Sequence, residues 1–305
     1  MEKLQILLIL LFAPLLQGFI KKTKAIMQGR CGASIFQPYF ELIRLFNKDM
    51  VISKVASPVF KATPYITFAS TVTACFLVPV ITTASNFYYF GDIIAIVYIF
   101  ALGRFFTALA GLDAGTAFGG EGSSREMTVA ILVEPMLMLC LFTLAISAGS
   151  TNIANIIEIG NPIFTPSKVL AFAAFLVVVI AETGRIPVDN PDTHLELTMI
   201  HEGMILEYSG KYLGLIEYAH YIKQMLLFTI MADLFFPLYI SSTLNIQDLI
   251  VATIAYAIKM FVIGFAVALI ESTRAKMRFF QLPSLLGGGF ILAFVSLLTY
   301  LMLGK

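Results

Sequence analysis

The chain has 305 residues, of which 59% are hydrophobic and only 13% charged, with a mean hydropathy of +0.89 and a formal net charge of +1. That leaves too little polar surface to clothe a soluble globule of this length, so the expected fold class is an all-α polytopic membrane protein. About eight transmembrane helices plus cytoplasmic amphipathic helices would form a single integral membrane domain over residues 1–305. The near-neutral charge argues against a nucleic-acid partner, and three cysteines without paired spacing, Cys31, Cys75 and Cys140, encode neither a metal-cluster site nor a disulfide framework.

In chain order, the first span is expected at about 4–20. It runs straight into Lys21 and Lys22 without a small-residue cleavage site, which favours an uncleaved span over a signal peptide. The first loop is basic. In it Tyr39, Leu42, Ile43, Phe46 and Met50 recur at helical spacing with Glu41, Arg44 and Lys48 opposite, the pattern of a surface-lying helix over 38–50 that anchors in the interface, walls a cavity or docks a partner. Spans follow at 64–82 and 91–111, the latter holding Arg104. The third loop carries Arg125 and a glycine-rich run, Gly119 to Ser124, that lacks the Lys of a phosphate loop. A fourth span at 127–148 contains Glu134 beside Pro135, and a fifth at 168–184 ends on Glu182.

The fifth loop, from Glu182 to Gly210, is unusually acidic, with Asp189, Asp192, Glu196, Glu202 and Glu207. A helix from about Pro191 to Tyr208 would put His194, Thr198 and His201 on one face, but the spacing is not that of a zinc-protease helix, so no metal site is expected in this chain. The remaining spans are expected at 214–239, 249–270 and 284–303, with Arg274, Lys276 and Arg278 in the seventh loop. Lys and Arg concentrate in alternate loops, which places the first, third, fifth and seventh on the cytoplasmic side and both termini outside the cell membrane.

Ionisable groups within spans are costly and mark ion paths. Here they are Arg104, Glu134, Glu182, Glu217, His220, Lys223, Asp233 and Lys259. A static ion pair that fixes helix packing, for instance Arg104 or Lys259 with Glu134, is the alternative for any one of them. Glu217 to Asp233 covers roughly 24 Å of helix, close to the hydrocarbon thickness. Pro135 and Pro237 would free the carbonyls of Ile131 and Asp233 near these carboxylates. Glu182 and Arg185, three apart, are expected to face one another, with Arg185 keeping Glu182 ionised. Glu134, Lys259 and Asp233 are expected to form a deeper coupled set.

The motif Glu182-Thr-Gly-Arg-Ile-Pro-Val-Asp followed by Glu207-Tyr-Ser-Gly resembles the fifth-loop signature of the respiratory complex I subunit 1 family. The segment from Gly29 and Arg30 through Gln37, Pro38 and Tyr39, and Gly122-Ser-Ser-Arg, are further resemblances, so the likeness covers essentially the whole chain. The loop from Asp189 is most similar to the hydrogenase-4 and formate hydrogenlyase branch of that family, the membrane anchors of group 4 nickel-iron hydrogenases. The resemblance implies a non-catalytic subunit in the inner membrane that anchors a cytoplasmic redox arm and couples electron transfer to proton or sodium movement. No cofactor is expected in this chain, the nickel-iron centre and iron-sulfur clusters belonging to partner subunits. The implied partners are hydrogenase-like large and small subunits, antiporter-like membrane subunits and membrane lipid. Glu134, Glu182, Arg185, Glu217, Asp233 and Lys259 would form the ion path. Arg125, Glu196, His201, Glu202 and Glu207 would serve loop coupling and docking. A quinone-site subunit of a complex I-like dehydrogenase and a stand-alone ion transporter are the alternatives; the second should show inverted repeats, and none is evident.

Overall fold

The structure, a computed structural model, describes residues 2–53, 55–83, 91–159, 165–189, 199–240 and 245–303. The described residues form eleven α-helices and no named strand: α1 (Glu2–Met27), α2 (Gln37–Phe46), α3 (Pro58–Leu77), α4 (Ile93–Asp113), α5 (Ala117–Ala148), α6 (Ile153–Ile159), α7 (Pro166–Glu182), α8 (His201–Ile205), α9 (Gly210–Phe235), α10 (Ile246–Thr273) and α11 (Leu282–Leu303). Each expected span falls on one of the long helices. Among the described residues, five segments are long and apolar enough to cross a membrane, namely Leu4–Met27, Ile93–Asp113, Ala117–Ala148, Gln247–Thr273 and Phe279–Leu303. The protein is thus an all-α, multi-pass membrane protein. Helices α3, α7 and α9 fall outside that set: α7 has 17 residues, α3 is rich in Thr and Ser, and α9 carries Lys211, Glu217, Lys223 and Asp233.

Local chemistry sets the helix ends. Ser57 and Asp92 accept from the amides of Val59 and Ile94 at the starts of α3 and α4, and Thr165 caps α7 ahead of Pro166, satisfying amides that have no partner within the helix. Helix α5 begins ten residues before the expected span, because Thr116 caps it and the glycine-rich run continues as helix. Its glycines are contact surfaces. A Cβ on Gly122 would lie 3.0 Å from the backbone of Gly203, Ile200 and Met204, and one on Gly119 would collide with the Gly111 carbonyl. Pro135 lies inside α5 as expected, whereas Pro237 follows the end of α9 at Phe235. The carbonyl of Asp233 is therefore already at a helix terminus, and no proline kink frees it.

Helix α9 packs against α1, α2, α3, α7 and α10, while α4 and α5 pack against one another and against α3 and α7 respectively; α11 covers α5 and α7. The first, third, fifth and seventh loops converge at one end. Ser57 N donates to Asp113 (2.8 Å), Val51 N to the Ser209 hydroxyl (2.9 Å) and Lys276 Nζ to Asp189 (2.8 Å), and Arg125 lies over the Phe279 ring. The second and fourth loops meet at the opposite end, where the Thr83 and Thr151 hydroxyls donate to Glu158 and Asp92. At the first end α2 lies against α1 and α9, turning Leu42 inward and leaving Phe40 and Ile43 exposed. The Tyr39 hydroxyl donates to the Leu11 carbonyl, and burial raises its pKa. Tyr208 stacks on Phe60 and donates to the Phe60 carbonyl at 2.8 Å; burial pushes its pKa up as well, so it remains a protonated donor.

Candidate functional site

The ionisable side chains of the interior gather into separate groups, and the largest centres on Arg104 and Glu182. Arg104, on α4, points between α5 and α7: Nη1 donates to Glu134 Oε1 at 3.1 Å, Nη2 donates to Glu182, and Nε lies 3.7 Å from Glu126 Oε1. On the far side of Glu182, Lys223 Nζ of α9 sits 2.7 Å from Oε2. Four helices thus contribute two cations and three carboxylates, and the central pair is nearly sealed, with side-chain exposures of 7% for Arg104 and 3% for Glu182. Charges buried to this degree persist only when paired. With all five ionised the group carries one excess negative charge. A cavity of about 50 Å³ adjoins it, bounded by Arg104, Glu126, Glu182 and Lys223 and by the hydroxyls of Thr67, Ser70, Thr71 and Thr107. Such a volume holds a few water molecules.

Arg185 belongs to a different group, which corrects the expected Glu182–Arg185 pair. Helix α7 ends at Glu182, and Gly184, at φ +57°, turns the chain. The i,i+3 geometry that would align the two side chains therefore never forms. Arg185 instead donates to Glu271 of α10 (2.7 Å), to Gln224 of α9 (2.8 Å) and to Gln17 of α1, while Glu271 also meets Lys24 at 3.4 Å. This buried guanidinium pins three helices beneath the fifth loop.

The expected set of Glu134, Lys259 and Asp233 is likewise divided. Glu134 pairs with Arg104, the static-pair geometry considered for it, and Lys259 lies 3.4 Å from Asp233 on α9. Asp233 is buried and its Oδ2 has no hydrogen-bond partner among the described residues. The split follows from placement: α10 packs against α9, whereas α5 packs against α4, α7 and α11.

A second cavity, of about 480 Å³, opens where α1, α2, α9 and the fifth loop meet. Glu202 and Glu217 line it, together with Lys21, Glu41, Arg44 and Arg185. Asp189 closes its edge: Oδ2 accepts from the amides of Ile200 (3.1 Å) and His201 (3.2 Å). Arg125 braces the same loop by donating to the Met199 carbonyl (3.1 Å) and to Glu121 (2.8 Å). His201 faces inward against His220, whereas Glu207 is exposed. Glu196, with His194 and Thr198, lies outside the described residues, as does most of the helix expected over 191–208. Among the described residues no cluster of three or more metal-ligating side chains occurs.

Sequence reasoning missed Glu126 and Glu271. Each lay one residue outside an expected span, Glu126 before 127 and Glu271 after 270, and so was read as loop. The available signal was Glu126 sitting eight residues before Glu134, two turns along one helix side, had the glycine-rich run been taken as helical.

The sequence profile of a family described as NADH dehydrogenase matches residues 2–303. The chain is 34% identical to formate hydrogenlyase subunit 4 of Escherichia coli K12, covering 97% of both proteins. It is also 34% identical to hydrogenase-4 component C of the same organism, over 97% of this chain and 94% of that protein. Its fold matches a chain from the membrane-bound sulfane sulfur reductase, described as an archaeal respiratory membrane complex, with a TM-score of 0.85 at 17% identity, covering 97% of this chain and 98% of that one. A full-length profile match and relatives above 30% identity at nearly full coverage together place this chain in the NADH dehydrogenase subunit 1 family, in the company of formate hydrogenlyase subunit 4 and hydrogenase-4 component C.

Proposed function

We propose that this chain is the membrane subunit of a group 4 hydrogenase-like complex, anchoring a cytoplasmic redox arm and coupling its electron transfer to ion translocation. The observation that carries the reading is the group of Arg104, Glu126, Glu134, Glu182 and Lys223, sealed at its Arg104–Glu182 centre and holding one more carboxylate than cations, beside a small polar cavity. A pair that only fixed packing would need no such excess. A group holding one uncompensated negative charge in a low dielectric has a ready place for one cation or proton. Glu217 in the larger cavity serves as an entry station on the same helix as Lys223, and the Asp233–Lys259 pair serves as a further station along it.

The arm docks on the end where the odd-numbered loops converge, and by the positive-inside rule that end is cytoplasmic and both termini lie outside the inner membrane. Leu112, Phe118 and Leu206 are exposed there, supplying the apolar area a protein partner covers. The nickel-iron centre and iron-sulfur clusters lie in hydrogenase-like large and small subunits, and antiporter-like subunits extend the path in the membrane.

Seven charged residues line the larger cavity, Lys21, Glu41, Arg44, Arg185, Asp189, Glu202 and Glu217, beside Leu42, Leu45, Leu213 and Tyr221, a lining that suits hydrated ions entering from the loop side. The test is to purify the intact complex, reconstitute it in proteoliposomes and drive it with a reductant. Hydrogen evolution accompanied by an uncoupler-sensitive ion gradient is the expected result. Reduction of added quinone in place of hydrogen evolution, or turnover without a gradient, would overturn the proposal.

A further inference from the structure

The larger and smaller cavities are lined by different residues with two exceptions, His201 and His220. The rings stand 4.9 Å apart, centroid to centroid, tilted by 31°. His201 begins α8, held by the Asp189 carboxylate through its backbone amide, and His220 projects from the middle of α9, one turn from Lys223. Beyond His201 lies a cavity with Glu41, Glu202 and Glu217 facing Lys21, Arg44 and Arg185. Beyond His220 lie Arg104, Glu126, Glu182 and Lys223.

We infer that His201 and His220 form a proton relay joining the loop-side cavity to the Arg104–Glu182 group. This deepens the coupling function proposed above, on which it rests, by fixing the ion as a proton. Imidazole suits the position because its two nitrogens allow it to accept a proton at one and release another from the other. The ring separation is one that a single bridging water molecule spans.

The transfer balances without electrons. An acid or water of the larger cavity gives a proton to one nitrogen of His201, and the proton on the other nitrogen passes to His220. His220 in turn releases one to the excess carboxylate of the Arg104–Glu182 group, taking it from one net negative charge to neutral. Both imidazoles end neutral with their tautomers exchanged, and ring reorientation resets them. Two histidines alone make an incomplete metal site, and the second cavity on the far side of the pair has no role in a purely packed histidine contact.

The test uses the intact complex in proteoliposomes, with protons taken up per electron read by a pH-sensitive dye and Na⁺ movement followed in parallel. The variants are His220→Gln, His201→Gln and His201→Ala, the last with and without free imidazole. His201→Gln and His220→Gln should each lower protons per electron by about tenfold or more, and the double variant should be no worse than either single one, because the steps are in series. Imidazole should restore transport in His201→Ala by filling the space beside the larger cavity. Unchanged protons per electron, or a loss in His201→Ala that imidazole does not restore, overturns the relay. Should His220→Gln fail to assemble, the imidazole response of His201→Ala decides alone. A wild-type complex that turns over without moving any ion refutes the coupling function itself. A wild type that moves Na⁺ but no protons refutes only the relay.

Discussion

Replacing Glu182 by Gln separates a translocating group from a packing device. The amide keeps the shape and one acceptor, so it can still receive a hydrogen bond from Arg104 or from Lys223, but it removes the charge shared by both. Arg104 retains Glu126 and Glu134, whereas Lys223 loses its carboxylate partner in the group. At 2.7 Å and an effective dielectric constant of about 20, the Lys223–Glu182 attraction is roughly 6 kcal/mol before desolvation is subtracted. Removing one member of a buried pair costs about 3–5 kcal/mol net, and the lower end applies because Arg104 keeps two carboxylates. The substitution also takes the group from one excess negative charge to neutrality, abolishing the site that a proton would fill. The prediction is therefore an assembled complex with electron transfer but little gradient, measured as ions per electron in proteoliposomes beside a Glu182→Asp control. Wild-type ions per electron in Glu182→Gln would refute the reasoning.

Further outcomes follow from other contacts. Arg185→Met should cost about 3 kcal/mol, the lower end for a broken buried pair because Glu271 keeps Lys24 at 3.4 Å, and Arg185→Met with Glu271→Gln should cost less than the two single losses together; thermal unfolding of the detergent-solubilised complex measures both, and additive losses would deny the pairing. Gly122→Val places methyls where a Cβ already sits 3.0 Å from the backbone of Gly203 and Ile200, so stability should fall by about 1–3 kcal/mol in the same assay. Glu207→Lys together with Phe118→Asp, both at exposed positions, should reduce co-purification of the soluble subunits; full retention would remove this end as the docking surface. Asp189→Asn should loosen the fifth loop, seen as faster amide exchange at Ile200 and His201, because it weakens the acceptor of both amides and the pair with Lys276.

The amino-acid sequence by itself determined the helical, membrane-spanning class, the approximate position of every long helix and the identity of most of the costly charges. Hydrocarbon leaves the backbone no other way to satisfy its polar groups, so a linear reading of hydropathy suffices for these. The alternation of basic loops likewise anticipated which loops meet: Lys276 reaches Asp189, and Arg125 reaches Met199. The pairing of charges was a different matter. Glu182 and Arg185 are neighbours in the chain but belong to separate groups, since a single positive-φ glycine after α7 sends one toward α4 and the other toward α10. Glu126 and Glu271 became visible only when their helices proved longer than their apolar cores. Which carboxylate meets which cation depends on the rotation and crossing of helices far apart in sequence. Packing sets those quantities, and no local pattern of residues encodes them. The two cavities, and the histidines that stand between them, exist for the same reason only in the assembled bundle.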